Sequence, residues 1–191
     1  MLYQIISLLL EVATGLVAGA CLLRLYMQYQ RIPMSARSGN PLGGFVFALT
    51  DWIVLPLRKV VAPNRSSDWA SVIAALLLEI VIALLYVLLS GIGRFPPLGA
   101  VLLLAVVWLV QWALRLLIGM LILQAVLSWV NPHAPLAPAI NQLTEPFLAP
   151  FRKFIPLVGG VDLSPLALML LIYVIQELLQ QGVASLLPRL F

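Results

Sequence analysis

Residues 98–130 read LGAVLLLAVVWLVQWALRLLIGMLILQAVLSWV, an apolar run interrupted by one charge, Arg115. A helix needs about 20 residues to cross the ~30 Å hydrocarbon layer of a bilayer at ~1.5 Å rise per residue. The run has no two-residue alternation and so does not read as a barrel strand. Backbone groups in lipid must bond within their own segment, which leaves a membrane helix. Three more stretches qualify: about Leu2 to Met27, Trp69 to Ile92, and Leu163 to about Leu187. The whole chain agrees, with 191 residues that are 63% hydrophobic and 9% charged, against about 45–50% and roughly 25% in soluble domains. A soluble fold of this size could not cover its outside with so few charges. The expected fold class is an all-α membrane protein with about four transmembrane helices.

The spans are separated by two long proline-rich connections, 28–68 and 131–162, and by a tight one at Gly91, Gly93, Pro96 and Pro97. Sliding the chain by 94 positions overlays the long connections without a gap. Leu49-Thr50-Asp51 falls on Leu143-Thr144-Glu145, Pro56-Leu57-Arg58-Lys59 on Pro150-Phe151-Arg152-Lys153, Asp68 on Asp162, and Gln30 on Gln124. The chain therefore reads as a tandem duplication, 1–93 and 94–191, of a helix-loop-helix unit with a short interfacial segment in each long loop. Two spans per unit give both copies one orientation, a parallel repeat about a pseudo-twofold axis along the membrane normal. The offset ends the third span near 121, so residues 122–130 are expected to leave the bilayer or run along its surface. The long connections hold seven cations, Arg31, Arg37, Arg58, Lys59, Arg65, Arg152 and Lys153, against Arg94 and Arg189 on the other side. This asymmetry puts the repeat loops in the cytoplasm and both termini outside.

The duplicated loop motif is the first candidate site: Thr50, Asp51, Pro56, Arg58, Lys59 and Asp68, with Thr144, Glu145, Pro150, Arg152, Lys153 and Asp162. Its surroundings are apolar, as suits a segment in the headgroup layer with cations toward anionic lipid head groups. Thr144-Glu145-Pro146 resembles a helix start, by its capping hydroxyl, first-turn acid and tolerated proline. Pro56 and Pro150 should end or bend each segment. Two readings stand: the arginines pair with acids or phosphates and fix loop geometry, or the stacked loops form a site that selects an ion or head group.

The second candidate set lies within the spans: Glu11, Glu79, Arg115 and Glu177. A central charge costs about 2.5–3.5 kcal/mol on insertion scales, so these residues should face the protein interior and pair. Arg115 calls for Glu177 or Glu79, either as an ion pair that orients helices or as part of a proton or cation path. Arg24 is near enough to a helix end to snorkel. Glu11, Gly15 and Gly19 share one helix face, where the glycines let another helix approach. The five tryptophans read as interfacial or packing residues.

Other function classes find little support. The net charge of +4 fits cytoplasmic-side cations better than nucleic acid, for which no dense basic stripe exists. His133 has no Cys or His companions for a metal site. No nucleophile–base motif and no phosphate-cradling glycine loop is present, so neither an enzyme nor a cofactor is expected. Cys21 reads as a small residue inside a helix, since no Lys or Arg precedes Arg24 to make the positive region of a signal peptide.

Ser128-Trp129, Leu143-Thr144-Glu145-Pro146, Pro150-Phe151-Arg152-Lys153, Ile155-Pro156 and Gly159-Gly160-x-Asp162-x-Ser164-Pro165 resemble the signature of the YggT family. Its bacterial members carry two copies of the repeat, as this chain does. The first copy departs, with Asp51-Trp52 for Glu-Pro and Asn64-Arg65-Ser66-Ser67 for the Gly-Gly stretch. The resemblance implies a bacterial inner-membrane protein linked to osmotic or extracytoplasmic stress tolerance and to ion, notably potassium, homeostasis, channel-like in action. The alternative it implies is a non-transporting scaffold or assembly factor for envelope, division or cytochrome complexes. Expected partners are the lipid bilayer, further copies of the same chain in a homo-oligomer, and a membrane or division protein.

Overall fold

The computed structural model describes residues 2–35, 40–61, 68–89, 97–155 and 162–190. Arg37, Arg65, Arg94, the 91–96 connection, the 64–67 stretch and Gly159-Gly160 lie outside them. The chain folds as six helices: α1 (Leu2–Tyr29), α2 (Pro41–Arg58), α3 (Trp69–Leu89), α4 (Leu98–Val130), α5 (Ala137–Arg152) and α6 (Ser164–Leu190). At the 94-residue offset α1, α2 and α3 fall on α4, α5 and α6.

Five of these helices, all but α5, are long and apolar enough to cross a membrane. The chain is a multi-pass membrane protein. Contacts decide the part played by α2. Thr50 and Asp51, at its middle, reach Arg24 near the end of α1. Arg58, about 12 Å further along α2 at ~1.5 Å per residue, reaches Asp68 at the start of α3. Arg24 and Asp68 are themselves 3.6 Å apart. Both stretches of α2 thus lie at one level of the bundle, so α2 runs across the loop-side ends of α1 and α3. The spans are α1, α3, α4 and α6. The interfacial segments are full helices of 18 and 16 residues, longer than the sequence suggested.

The cap of α2 follows from local chemistry: the Asn40 side chain accepts from the Leu42 N–H at 3.1 Å and Pro41 opens the helix. Its buried face is Gly43, Val46, Thr50 and Val54, at helical spacing, while Phe45, Trp52 and Leu55 stay exposed. α2 and α5 both end two residues after their last proline. The expected helix start at Thr144 is a correction, because α5 begins at Ala137 with Pro138 in its first turn. Thr144 lies mid-helix and turns its hydroxyl back to the Ile140 carbonyl at 2.9 Å, a local bond open to Thr inside a helix as well as at its cap.

α1 and α4 end differently. Arg31 adopts φ 56°, and the Ile32 N–H bonds the Met27 carbonyl at 2.9 Å while the Arg31 N–H bonds that of Gln28 at 3.0 Å. That is a Schellman-type stop, with buried Ile32 folded back into the core beside Met27. α4 has no such stop and continues to Val130. Residues 122–130 therefore extend the same helix rather than turning along a surface. At ~1.5 Å per residue α4 is about 50 Å long and overruns the hydrocarbon layer on the loop side.

The largest core cluster lies toward the loop side and joins the repeats: Leu23 and Met27 of α1 with Leu117 and Leu121 of α4, Ile140 and Leu143 of α5, and Leu168 and Ile172 of α6. A small-residue seam of Ala18, Cys21, Ala70 and Ala74 closes α1 against α3. α3 also packs along α4, whereas its counterpart α6 makes no comparable contact with α1. A true twofold would require both. Among the described residues the repeats are therefore parallel but not related by a closed twofold.

Candidate functional site

The loop-side clusters build up from the helix ends. Asp68 precedes α3 and accepts from Ser71 Oγ at 3.0 Å and from Arg58 Nε at 3.4 Å, with Arg58 Nη2 on its other side. It is almost fully buried. Burial alone pushes its carboxyl up, but the hydrogen bonds from Arg58 and Ser71 and the charges of Arg58 and Arg24 outweigh that and hold it below the usual carboxylate range. In the second repeat Arg152 bonds Asp162 through Nε at 2.8 Å and Glu145 through Nη1. Asp162 also takes the Ser164 N–H at 2.9 Å, at the start of α6. Its carboxyl too is pushed up by burial and brought below the ordinary value by Ser164 and Arg152.

The repeats share this Arg–Asp lock but differ around it. Arg24, buried, donates from Nη1 to Thr50 Oγ1 and Asp51 Oδ1, each at 2.7 Å, and its guanidinium lies 4.8 Å from the Phe47 ring. It does not snorkel, because carboxylates and an aromatic face meet it inside. Its counterpart is Ile118, so Glu145 has no such cation and turns to Arg152. Arg58 and Arg152 occupy two separate clusters, joined by no hydrogen bond or ion pair among the described residues. Lys59 and Lys153 cap the ends of α2 and α5 and are exposed.

The charges of the spans gather elsewhere. A cavity of ≈ 270 Å³ between α1, α3 and α4 is lined by Glu11, Thr14, Glu79, Gln111 and Arg115, with Trp108 and Trp112 in its wall. A neighbouring space of ≈ 280 Å³ shares Glu11, Gln111 and Arg115 and reaches Gln180 of α6. Arg115 Nη1 stands 3.7 Å from Glu11 Oε1, and its guanidinium lies 4.7 Å from the Trp112 ring; the Glu11 side chain is 57% exposed, which corrects the expectation that it faces the protein interior. The sequence expectation of Glu177 or Glu79 as its ion-pair partner is corrected: Glu177 is exposed and accepts from Gln181. It lies off the face of α6 that packs through Leu168 and Ile172. Glu79 lines the same cavity but makes no ion pair with Arg115. It is 2% exposed, and its Oε1 has no hydrogen-bond partner among the described residues.

The glycines of α1 divide. A Cβ on Gly15 would overlap the Trp112 ring, so this glycine is what lets α4 come close, whereas one on Gly19 would meet nothing within 4 Å. Gln30 and Tyr26 then tie the repeats together: Tyr26 Oη donates to the Leu143 carbonyl at 2.8 Å and Gln142 Nε2 to that of Gln30 at 2.9 Å.

The CCB3/YggT family model matches residues 2–89 and 103–183 of this chain. The chain belongs to the CCB3/YggT family. The Escherichia coli K12 protein YggT is 32% identical over 195 residues, covering 97% of each chain. A Vibrio alginolyticus protein of the proC 3′ region is 32% identical over 163 residues, covering 85% of this chain and 86% of its own. No solved structure matches the chain. Both family segments contain an Arg–Asp lock, Arg58–Asp68 and Arg152–Asp162, built across ten residues in each. The sequence pattern of this YggT-family chain left Gln111 unmarked, gave Gln124 only as the counterpart of Gln30, and read Arg24 as a snorkelling residue rather than a buried one. For Arg24 a signal existed: it has no counterpart in the second repeat, where Glu replaces Asp51.

Proposed function

We propose that this protein serves ion homeostasis in the bacterial inner membrane under osmotic or extracytoplasmic stress, by passing a monovalent cation such as potassium through the bundle. The observation that carries the reading is Glu79: a buried carboxylate with an unpartnered oxygen, facing a cavity shared by both repeats. An unpaired acceptor is costly in an apolar interior, and ionisable groups inside membranes mark ion and proton paths. Glu79 and Glu11 supply two carboxylates against one guanidinium, a balance that favours a cation. Arg115 holds Glu11 and limits the site's net charge. Binding near the midplane where repeats meet is a recurrent transporter arrangement. Four spans enclose no wide pore, so the reading includes a homo-oligomer, with the α6 face left open by the missing α6–α1 packing at hand for it. It includes cytoplasmic repeat loops, from the seven-to-two cation asymmetry, and no chemical reaction.

Purified protein in liposomes with an imposed potassium gradient tests it. Wild-type protein should carry flux above empty vesicles, and Glu79→Gln should lower it by about tenfold or more at equal reconstitution. Flux equal to empty vesicles would leave the scaffold reading. The exposed Trp52 and Phe154 on the loop side favour that second reading, as a surface for an envelope, division or cytochrome-assembly partner.

A further inference from the structure

The loop side of the second repeat holds a separate cavity of ≈ 310 Å³, lined by Gln124 and Ser128 of α4 and by Asn141, Glu145 and Arg152 of α5. The two repeats differ in ways that account for it. In the first repeat the chain leaves α1 at Tyr29 and packs the Met34 backbone against Gly43, where an added Cβ would lie 2.2 Å from the Met34 carbonyl oxygen. In the second repeat α4 runs straight on to Val130, and no chain folds back in this way. Phe47, whose ring meets Arg24 in the first repeat, is replaced at the matching position by Asn141.

The walls have a definite chemistry. Gln124 is 8% exposed, and its Oε1 has no hydrogen-bond partner among the described residues. Arg152 is engaged by both Glu145 and Asp162, so the cluster carries two negative charges against one positive. The pocket wall itself holds Glu145 and Arg152, one charge of each sign, together with spare acceptors, which a zwitterionic ligand with several N–H donors would satisfy. Its depth is informative as well. Gln124 lies about 39 Å along α4 from Leu98 at ~1.5 Å per residue, past the ~30 Å hydrocarbon layer. Trp129 and Phe154, both largely exposed, belong to the same end of the bundle, where aromatic side chains anchor at the headgroup level.

We propose that this pocket binds the primary ammonium group of a phospholipid head group, with Gln124 Oε1, Ser128 Oγ and the Glu145 carboxylate receiving its N–H donors. The site lies in the second repeat alone and does not depend on cation passage through the bundle.

Detergent-purified full-length protein, titrated with defined lipids and read by native mass spectrometry and thermal shift, tests it. Phosphatidylethanolamine should bind roughly tenfold or more tightly than phosphatidylcholine, which has the same net charge but no N–H donors. Gln124→Met should remove that preference. Asn141→Phe should fill the pocket and remove it too, in a protein expected to fold because the first repeat accommodates Phe47 at the matching place. Equal binding of the two lipids, or an unchanged preference in folded Asn141→Phe protein, would overturn the proposal. Free phosphoethanolamine binding as tightly as the lipid would assign the pocket to a soluble amine and overturn the lipid source.

Discussion

Arg24 and Arg152 carry the same charge and meet the same kinds of partner, yet the Arg24 side chain is 2% exposed and that of Arg152 36%. Removing one partner of a buried pair leaves an uncompensated charge inside, whereas an exposed pair is worth little. Arg24→Met should therefore lower unfolding stability by about 3 kcal/mol or more, and Arg152→Met by about 1 kcal/mol or less, in thermal or SDS titrations of detergent-solubilised protein. Asp68 gives a pH dependence with a defined sign. Its carboxyl is held below the usual range in the folded protein, so its contribution is fully present above the unfolded value of about 3.9 and is lost as pH falls through the folded one. The stability gap between wild type and Asp68→Asn should stay constant from neutral pH down to about 5 and narrow only below about 4. A gap that closed above pH 5 would contradict the Arg58 and Ser71 hydrogen bonds.

Among the elements, α1 and α4 descend from one pattern and part company at Arg31. A left-handed residue with a Cβ costs about 1–2 kcal/mol, more when β-branched. Arg31→Gly should leave stability unchanged or raised, and Arg31→Val should lower it by about 1–2 kcal/mol, as melting of the purified protein would register. α3, α4 and α6 each brought a carboxylate or cation to the bundle, and periodicity could not say which would meet. The mutual rotation of helices is set by packing, here by Gly15 admitting Trp112, which brings α1 and its Glu11 beside Arg115. A double-mutant cycle of Arg115→Leu with Glu11→Leu should show coupling of about 0.5–1 kcal/mol. The cycle with Glu177→Leu should show none.

At the scale of the whole molecule, two parallel repeats put both locks on one side. Single cysteines replacing Lys59 and Lys153, both exposed, in a Cys21→Ala background should react with an impermeant thiol reagent only from the cytoplasmic side. Labelling of either from outside intact cells would overturn the proposed orientation, and labelling of the two from opposite sides would overturn the parallel arrangement itself. Among the described residues α3 packs on α4 without a comparable α6–α1 contact, which leaves the bundle open on one flank. Symmetry of sequence did not become symmetry of shape among the described residues.

The sequence by itself determined what depends on local composition and spacing: the spans, the duplication at 94 residues, and a family resemblance resting on the loop motif. Apolar length against bilayer thickness settles a span without knowing its neighbours. It also held both ends of each Arg–Asp lock, since Arg58 and Asp68 stand ten residues apart as Arg152 and Asp162 do. Only the tertiary structure decided that Arg24 is buried, that Arg115 faces Glu11 rather than Glu79 or Glu177, and that α2 lies across the bundle. It alone decided that a polar pocket opens beside Gln124. Each of these depends on how one helix is rotated and stacked against another, and that follows from side-chain packing over the entire bundle, which no local window of residues contains.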